Sequence, residues 1–339
     1  MSERDEVRLS LPSKGRLADD ALEFMSACGL RVHKPNPRQY AATIPALPGL
    51  TVLFQRPTDI VISVREGSMD FGITGLDVTQ EFGGDNDEIL VLHEALGFGG
   101  CRLAVAVPEA WEGVQTVEDL AALAASWDRP LRVATKFTNL TGAFLSEHSV
   151  TPFELVYAEG TLEVAPAIGY ADCIVDLVSS GQTLRDNRLR RLTDGILLRS
   201  QAALIANRSA LRRRPEVLDV ARVLLEFTEA HLRAQEHVLI VANMRGEGPD
   251  AIAQRMFEMR VLGGLQGPTI SPVLVADGNP NWYAVQIVVR RDRLIQAIAE
   301  LRDIGGSGVV VTPVTYIFEE EPDRYRAMMA AVGTGEEPA

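Results

Sequence analysis

Between Ala171 and Arg185 the chain reads ADCIVDLVSSGQTLR. Cys173, Ile174, Val175, Leu177 and Val178 form an apolar run suited to a buried strand, interrupted by one carboxylate, Asp176. Ser179, Ser180, Gly181, Gln182 and Thr183 follow, ahead of a predicted helix. A strand that ends in small hydroxyl residues and a glycine before a helix aims backbone N–H groups at one point, where the helix dipole adds positive potential. Ser180 and Thr183 can add hydroxyl donors. The chemistry is that of a phosphate cradle, with Asp176 below it placed to accept hydrogen bonds from sugar hydroxyls. Serine and threonine that merely cap a helix behind a core strand give the same pattern. The segment alone leaves both readings open.

A phosphate site in a chain of formal charge −13 needs its positive charge supplied locally. Four strand-end turns could do so. Pro12-Ser13-Lys14-Gly15-Arg16 joins a strand over Val7–Leu11 to an amphipathic helix over Leu17–Gly29, with Leu17, Ala21, Leu22 and Met25 inward, and Gly15 lets the backbone approach a ligand closely. Arg56 stands between a strand over Thr51–Gln55 and a helix opened by Pro57. Arg102 begins a strand over Cys101–Val107 after a glycine cluster, and Lys136 follows a strand over Leu131–Thr135. Of 33 basic residues only Lys14, Lys34 and Lys136 are lysine, and two of these three sit just after predicted strands. A lysine there is a compact point charge for phosphate, although chance placement would look the same.

Other chemistries lack their residues. The five histidines show no metal-ligand spacing, and Cys28, Cys101 and Cys173 are far apart. There is no nucleophile elbow, no Walker A motif and no G-x-G-x-x-G, so covalent catalysis and dinucleotide binding are disfavoured. The acidic balance argues against a nucleic-acid partner. No apolar run reaches membrane-spanning length, and the opening MSERDEVRLS is polar, so a reduced, cytoplasmic, soluble protein is expected.

The elements that must position these groups alternate strand and helix, which predicts largely parallel sheets with ligands at the carboxyl ends of their strands. Two α/β lobes joined by two crossings are expected, lobe I over 1–99 and 197–235 and lobe II over 100–196, with Ile196–Ala206 a single strand returning to the first sheet. From 236 to 320 the predicted order is βαββαβ, a ferredoxin-like unit typical of small regulatory modules. Residues 321–339 read as a tail, disordered at GTGEEPA.

Over nearly all of its length, from Val7 to Phe318, the sequence resembles the long form of ATP phosphoribosyltransferase, the first enzyme of histidine biosynthesis. LPSKGRL, DFGITGLDV, FGGCRLAVAVP and EGTLEVAPAIGYADCIVDLVSSGQTL carry the resemblance. It implies an α/β fold of two periplasmic-binding-protein-like lobes plus a C-terminal ferredoxin-like domain that binds histidine as feedback inhibitor, in a homo-oligomer (dimer or hexamer). It also implies that Ser179–Thr183 hold the 5′-phosphate of phosphoribosyl pyrophosphate and Asp176 its ribose hydroxyls. Lys14 and Arg16 would face the pyrophosphate or ATP phosphates, with Arg56, Asp77, Arg102 and Glu163 as further nucleotide or supporting contacts. Mg²⁺ is the implied cofactor. The implied reaction is attack of adenine N1 of ATP on the anomeric carbon, pyrophosphate leaving. Ser13 and Glu159 depart from the commonest family wording, and Glu159 would put a negative charge near an anionic ligand unless it binds metal or faces solvent. A two-lobed binding or regulatory protein without catalysis is the competing class, and a phosphoribosyltransferase with another base acceptor a third.

Overall fold

A computed structural model describes residues 6–34, 36, 39–84, 86–274 and 281–333. The chain divides into two compact units, residues 1–225 with 323–339, and residues 226–322. The first unit contains two sheets.

Lobe I opens with β1 (Val7–Pro12), α1 (Arg16–Ala27), β2 (Ala41–Thr43), β3 (Leu50–Gln55), α2 (Pro57–Arg65), β4 (Phe71–Gly75), α3 (Leu76–Phe82) and β5 (Ile89–His93). β1 is driven inward by Val7, Leu9 and Leu11, all buried. The buried face of α1 is Ala18, Ala21, Phe24 and Met25. Leu17 and Leu22, expected in the core, are half-buried instead, because the helix is turned to pack Phe24 inward. Gly29, at φ 76°, takes the left-handed conformation that ends the helix.

Lobe II contains β6 (Cys101–Pro108), α4 (Val117–Ala125), β7 (Leu131–Thr135), α5 (Thr138–Glu147), β8 (Phe153–Tyr157), a 3₁₀ turn at Leu162–Val164, β9 (Cys173–Val178), α6 (Gln182–Asp186) and β10 (Leu189–Ser200). Thr116 caps α4 reciprocally with Asp119, and the run Thr116-Val117-Glu118-Asp119 is itself a legible helix start in the sequence. β11 (Ala202–Asn207) then re-enters the first sheet, followed by α7 (Arg208–Arg213) and the long α8 (Pro215–Gln235).

The sheets run β2-β3-β1-β4-β11-β5 and β10-β6-β9-β7-β8. Only β3-β1-β4 and β9-β7-β8 are parallel, and the other neighbours are antiparallel. The expectation of largely parallel sheets therefore holds only for the strands that feed crossover helices. The strands on either side of each crossing, β5 and β6, β10 and β11, lie in opposite lobes and pair antiparallel with their neighbours. The single strand expected over Ile196–Ala206 is two. Its first half pairs with β6 in lobe II and its second with β4 in lobe I, the change of sheet falling at Gln201.

The second unit holds β12 (His237–Arg245), α9 (Pro249–Phe257), β13 (Thr269–Pro272), β14 (Trp282–Arg290), α10 (Leu294–Asp303) and β15 (Ser307–Pro313). Its sheet order β13-β14-β12-β15, all antiparallel, is the ferredoxin-like arrangement. Ile240, Ala242, Met244, Ile287, Ala297 and Leu301 form its own core. The sequence places the second strand of this unit over Thr269–Ala276; the structure ends it at Pro272, and the last two residues of that span lie outside the described ones. The tail is not structureless throughout. α11 (Asp323–Gly333) folds back onto the first unit, where Arg208 donates to the Ala331 carbonyl at 2.8 Å and Arg324 to Glu94 at 2.6 Å. GTGEEPA begins at the last residue of α11, and its other six residues lie outside the described ones.

Candidate functional site

Each lobe builds the same device. β1 lies between β3 and β4, and β7 between β8 and β9, so strand order reverses at β1 and again at β7. Helices leaving such strands diverge and open a crevice at the carboxyl ends. Lys14 and Arg16 follow β1, and Lys136 follows β7. A cleft of about 610 Å³ lies between the two sets of strand ends. Lobe I contributes Arg16, Asp20, Arg56, Thr58 and Asp77, and lobe II contributes Lys136, Glu159, Leu177 and Ser179. Gly99, Gly100 and Cys101 line it where the chain crosses.

Of the sequence-predicted residues, Arg16, Arg56, Asp77 and Ser179 thus share the cleft. Arg16 is exposed and held loosely by Asp20 at 3.6 Å. Lys14 stands in the exposed turn before it and does not line the cleft. Arg56 is the exposed first residue of the α2 turn, with Pro57 at the first helical position as expected. Asp77 is 4 % exposed and already engaged: it accepts a hydrogen bond from the Ser200 hydroxyl at 2.6 Å, while its own N–H donates to that oxygen at 2.9 Å.

β9 ends at Val178 and the cradle follows. Gly181, at φ 73°, supplies a left-handed residue that reverses the chain into α6. Ser180 Oγ accepts from the Gln182 N–H at 3.3 Å, which holds the turn in shape. The Gln182 side chain is used inside α6, donating to Asp186 at 2.6 Å and accepting from Arg185 at 2.8 Å. Ser179, Ser180 and Thr183 are exposed, and of residues 179–183 Ser179 alone lines the main cleft. Arg102 lies in an adjoining recess of about 290 Å³ that also reaches Ser179.

Asp176 is partly buried within β9, opposite Ala104 of β6. Burial pushes its carboxyl above the usual range. The Leu177 N–H, which donates to it at 2.8 Å, and the Lys136 ammonium pull it back, while Glu163 pushes it up. Asp176 therefore feels both the Lys136 and the Glu163 charge. Glu163 sits on the 3₁₀ turn, and Glu159 is exposed, accepting from the Tyr157 hydroxyl at 2.8 Å.

Among the described residues no three His, Cys, Asp or Glu side chains gather as a metal site. Asp176 and Glu163, near enough for Glu163 to raise the Asp176 carboxyl, offer oxygen donors of the class that Mg²⁺ takes.

Two features escaped the sequence. Glu81 of α3 is 3 % exposed and reaches across to lobe II, where its carboxylate accepts from the Asn139 N–H at 2.8 Å and the Leu140 N–H at 3.0 Å. α5 has no cap of its own, since Phe137 offers no side-chain oxygen. The residues are 58 apart in sequence, and no local pattern reveals the tie. The other feature is Arg199, beside Arg102 in the recess, at the end of a strand whose partner the sequence misassigned.

In the second unit a cavity of about 540 Å³ is lined by His237, Arg260, Arg290, Arg293 and Gln296 over Val261, Val288 and Val289. Among the described residues no helix is long and apolar enough to cross a membrane.

Comparison with known proteins gives a consistent set of relatives. Residues 56–227 match the profile of HisG, ATP phosphoribosyltransferase, and residues 234–316 that of the HisG C-terminal domain. The chain is 46 % identical to ATP phosphoribosyltransferase 2, chloroplastic, of Arabidopsis thaliana, across 97 % of this chain and 81 % of that one. It is 34 % identical to the ATP phosphoribosyltransferase of Rhodopseudomonas palustris strain HaA2, across 95 % and 97 %. The ATP phosphoribosyl transferase (HisG:HisZ) complex of Thermotoga maritima shares the fold at a TM-score of 0.52 and 22 % identity, over 66 % of this chain and 98 % of that one.

Proposed function

Because the chain belongs to the ATP phosphoribosyltransferase family, whose enzymes carry out the first step of histidine biosynthesis, we propose that its interlobe cleft is where the phosphoribosyl group of phosphoribosyl pyrophosphate passes to N1 of ATP. One observation carries the assignment to this cleft. Cationic side chains of both lobes, Arg16, Arg56 and Lys136, converge on a space bordered by the first cradle residue, Ser179, with Asp176 close to Lys136.

In this reading the turn Ser179-Ser180-Gly181-Gln182-Thr183 receives the 5′-phosphate through backbone N–H groups and the hydroxyls of Ser179 and Thr183. Asp176 accepts from the ribose hydroxyls. Lys14, Arg16 and Arg56 approach the nucleotide and pyrophosphate phosphates from lobe I. Asp77, tied to Ser200, holds the wall of the cleft rather than a phosphate. Glu163, whose charge by itself opposes an ionised Asp176, is its partner in holding Mg²⁺.

The nucleophile is an uncharged ring nitrogen, so the protein needs no base to generate it. Its tasks are to bring N1 in line with the anomeric carbon and to stabilise the pyrophosphate as the C–O bond breaks. Positive charge grows on the ribose at the same moment, and an ionised Asp176 at the hydroxyls is a suitable counter-charge. Asp176 and Glu163 would hold Mg²⁺ jointly with substrate oxygens. When bound, the ion neutralises charge on the departing pyrophosphate.

The second unit is read as the regulatory module, with free histidine as feedback inhibitor. Its arginine-rimmed cavity offers partners for an amino acid's carboxylate. The protein is read as a homo-oligomer, dimer or hexamer, working in the cytoplasm, where three cysteines outside any disulfide stay reduced.

The test is a turnover assay with ATP, phosphoribosyl pyrophosphate and Mg²⁺, followed by pyrophosphate release with and without histidine. Release that histidine suppresses is expected, and Asp176→Ala or Thr183→Ala should nearly abolish it. Wild-type rates in either variant would remove the cradle from the reaction. Ligand binding without release would make the chain a two-lobed receptor.

A further inference from the structure

The last turn of β10 places a second arginine beside the cradle. Arg199 pairs directly with Arg102 across the antiparallel β10–β6 ladder, and Arg102 pairs in turn with Val178 of β9, the residue before Ser179. Both arginines are exposed, and both line the recess of about 290 Å³ that Ser179 also borders. Neither has an ion pair or side-chain hydrogen bond among the described residues. Like charges set opposite each other on a sheet destabilise it. In a chain with 46 acidic residues, a pair left without a carboxylate is an arrangement awaiting an anion.

The base that carries Arg199 is unusually well fixed. Ser200 exchanges two hydrogen bonds with Asp77 of lobe I, at 2.6 and 2.9 Å. Gln201 accepts from the Gly97 N–H through its side chain and from the Leu76 N–H through its carbonyl, both at 2.9 Å. Those bonds hold the two residues after Arg199 to both lobe I and the crossing segment. The guanidinium stands exposed at the end of a long side chain whose root is fixed.

We propose that Arg102 and Arg199 together form a polyphosphate subsite beside the cradle. This rests on the cleft assignment above and adds a residue to it. Two adjacent guanidinium groups match two linked anionic groups. A lone carboxylate or monophosphate neutralises one of them, whereas a diphosphate or longer chain spans both. Two sources carry that chemistry, the pyrophosphate of the sugar donor and the triphosphate of ATP. The recess meets the main cleft at Gly100, Cys101 and Ser179, so either could enter it from the reacting centre.

The experiment titrates the intact protein calorimetrically with inorganic pyrophosphate, ATP and inorganic phosphate, using wild type, Arg199→Gln, Arg199→Lys and Arg102→Gln. Arg31→Gln, another exposed arginine outside the recess, controls for bulk charge. Wild type should bind pyrophosphate more tightly than phosphate. Arg199→Gln and Arg102→Gln should each weaken a di- or triphosphate by at least about tenfold, as loss of a charged hydrogen bond predicts, with Lys at 199 recovering part of it. Weakening confined to pyrophosphate assigns the donor's leaving group, and weakening confined to ATP assigns the nucleotide tail. Unchanged affinity for both ligands in Arg199→Gln overturns the subsite, as does an equal loss in Arg31→Gln. Unaltered thermal melts establish that the exposed variants are folded. Absence of turnover in wild type would sink the proposed reaction alone, because binding of bare pyrophosphate is read separately.

Discussion

Asp172 and Asp176 lie four residues apart, one just ahead of β9 and the other within it. At Asp172, burial works to raise the carboxyl, yet Arg129 donates to it at 2.6 and 2.9 Å, and Arg132 adds its backbone N–H at 2.8 Å and its guanidinium at 3.0 Å. The donors win, and the group is held well below the carboxylate range. At Asp176 the one hydrogen bond among the described residues comes from the Leu177 N–H, the cation acting on it is Lys136, held over the Phe137 ring, and burial wins. One end of the strand spends its carboxylate on holding the β7–β9 corner together. The other keeps its carboxylate under-satisfied beside the cleft. A partly buried acid with few partners, one residue before the cleft-lining Leu177, is placed as a group awaiting a ligand.

The largest effect that separates the two ends should come from Asp176→Asn. Transfer should fall by about 10²-fold or more, since the amide cannot balance positive charge on the ribose, while the melting temperature rises because a penalised charge is gone. Pyrophosphate release and a thermal melt on one preparation check both signs. A variant both inactive and less stable would break the contrast. Asp172→Ala should do the reverse, lowering stability by about 2 kcal/mol in urea titration with kcat nearly unchanged, because it leaves two arginines and a backbone N–H without their acceptor.

The pH dependence sharpens the comparison. The folded state holds the Asp176 proton more tightly than the unfolded chain does, so this group favours folding at low pH, and that contribution is lost as pH rises through its raised pKa. Asp172 runs the other way: its contribution is present above the ordinary carboxylate pKa and is lost as pH falls toward its depressed one. Wild type minus Asp172→Asn should therefore lose its stability difference on acidification, and wild type minus Asp176→Asn should lose its deficit. Denaturant titrations between pH 3 and 7 read both. The smallest effect is expected at Glu81→Ala, which removes the cap of α5 and should cost about 1 kcal/mol, with KM for the sugar donor raised more than kcat is lowered.

Much of this was legible because it is local. Asp176, the end of the strand at Val178 and the glycine of the turn are written in fifteen consecutive residues, and the structure puts strand, turn and helix where that run implies. The ferredoxin-like order could be read for the same reason, each element carrying its own period. What stayed hidden depends on separation in sequence. The change of sheet at Gln201 interrupts an apolar stretch with no glycine or proline, since two nearly continuous strands need no turn to change partners. Arg199 was overlooked with it. α11 follows an acidic run and reads as tail, and only its contacts with β5 and α7 justify a helix there.

The bond from Glu81 to α5 has a consequence for motion. Two halves of a clamp turn about the points where they are tied, and here, besides the two crossings and the Ser200–Asp77 tie, a side chain of one half is seated in the helix start of the other. Any rocking that keeps those bonds has its fulcrum behind Lys136, which directly precedes the helix's opening segment. That ammonium is then the still point of the mouth, while groups borne on the farther strand ends swing toward or away from it.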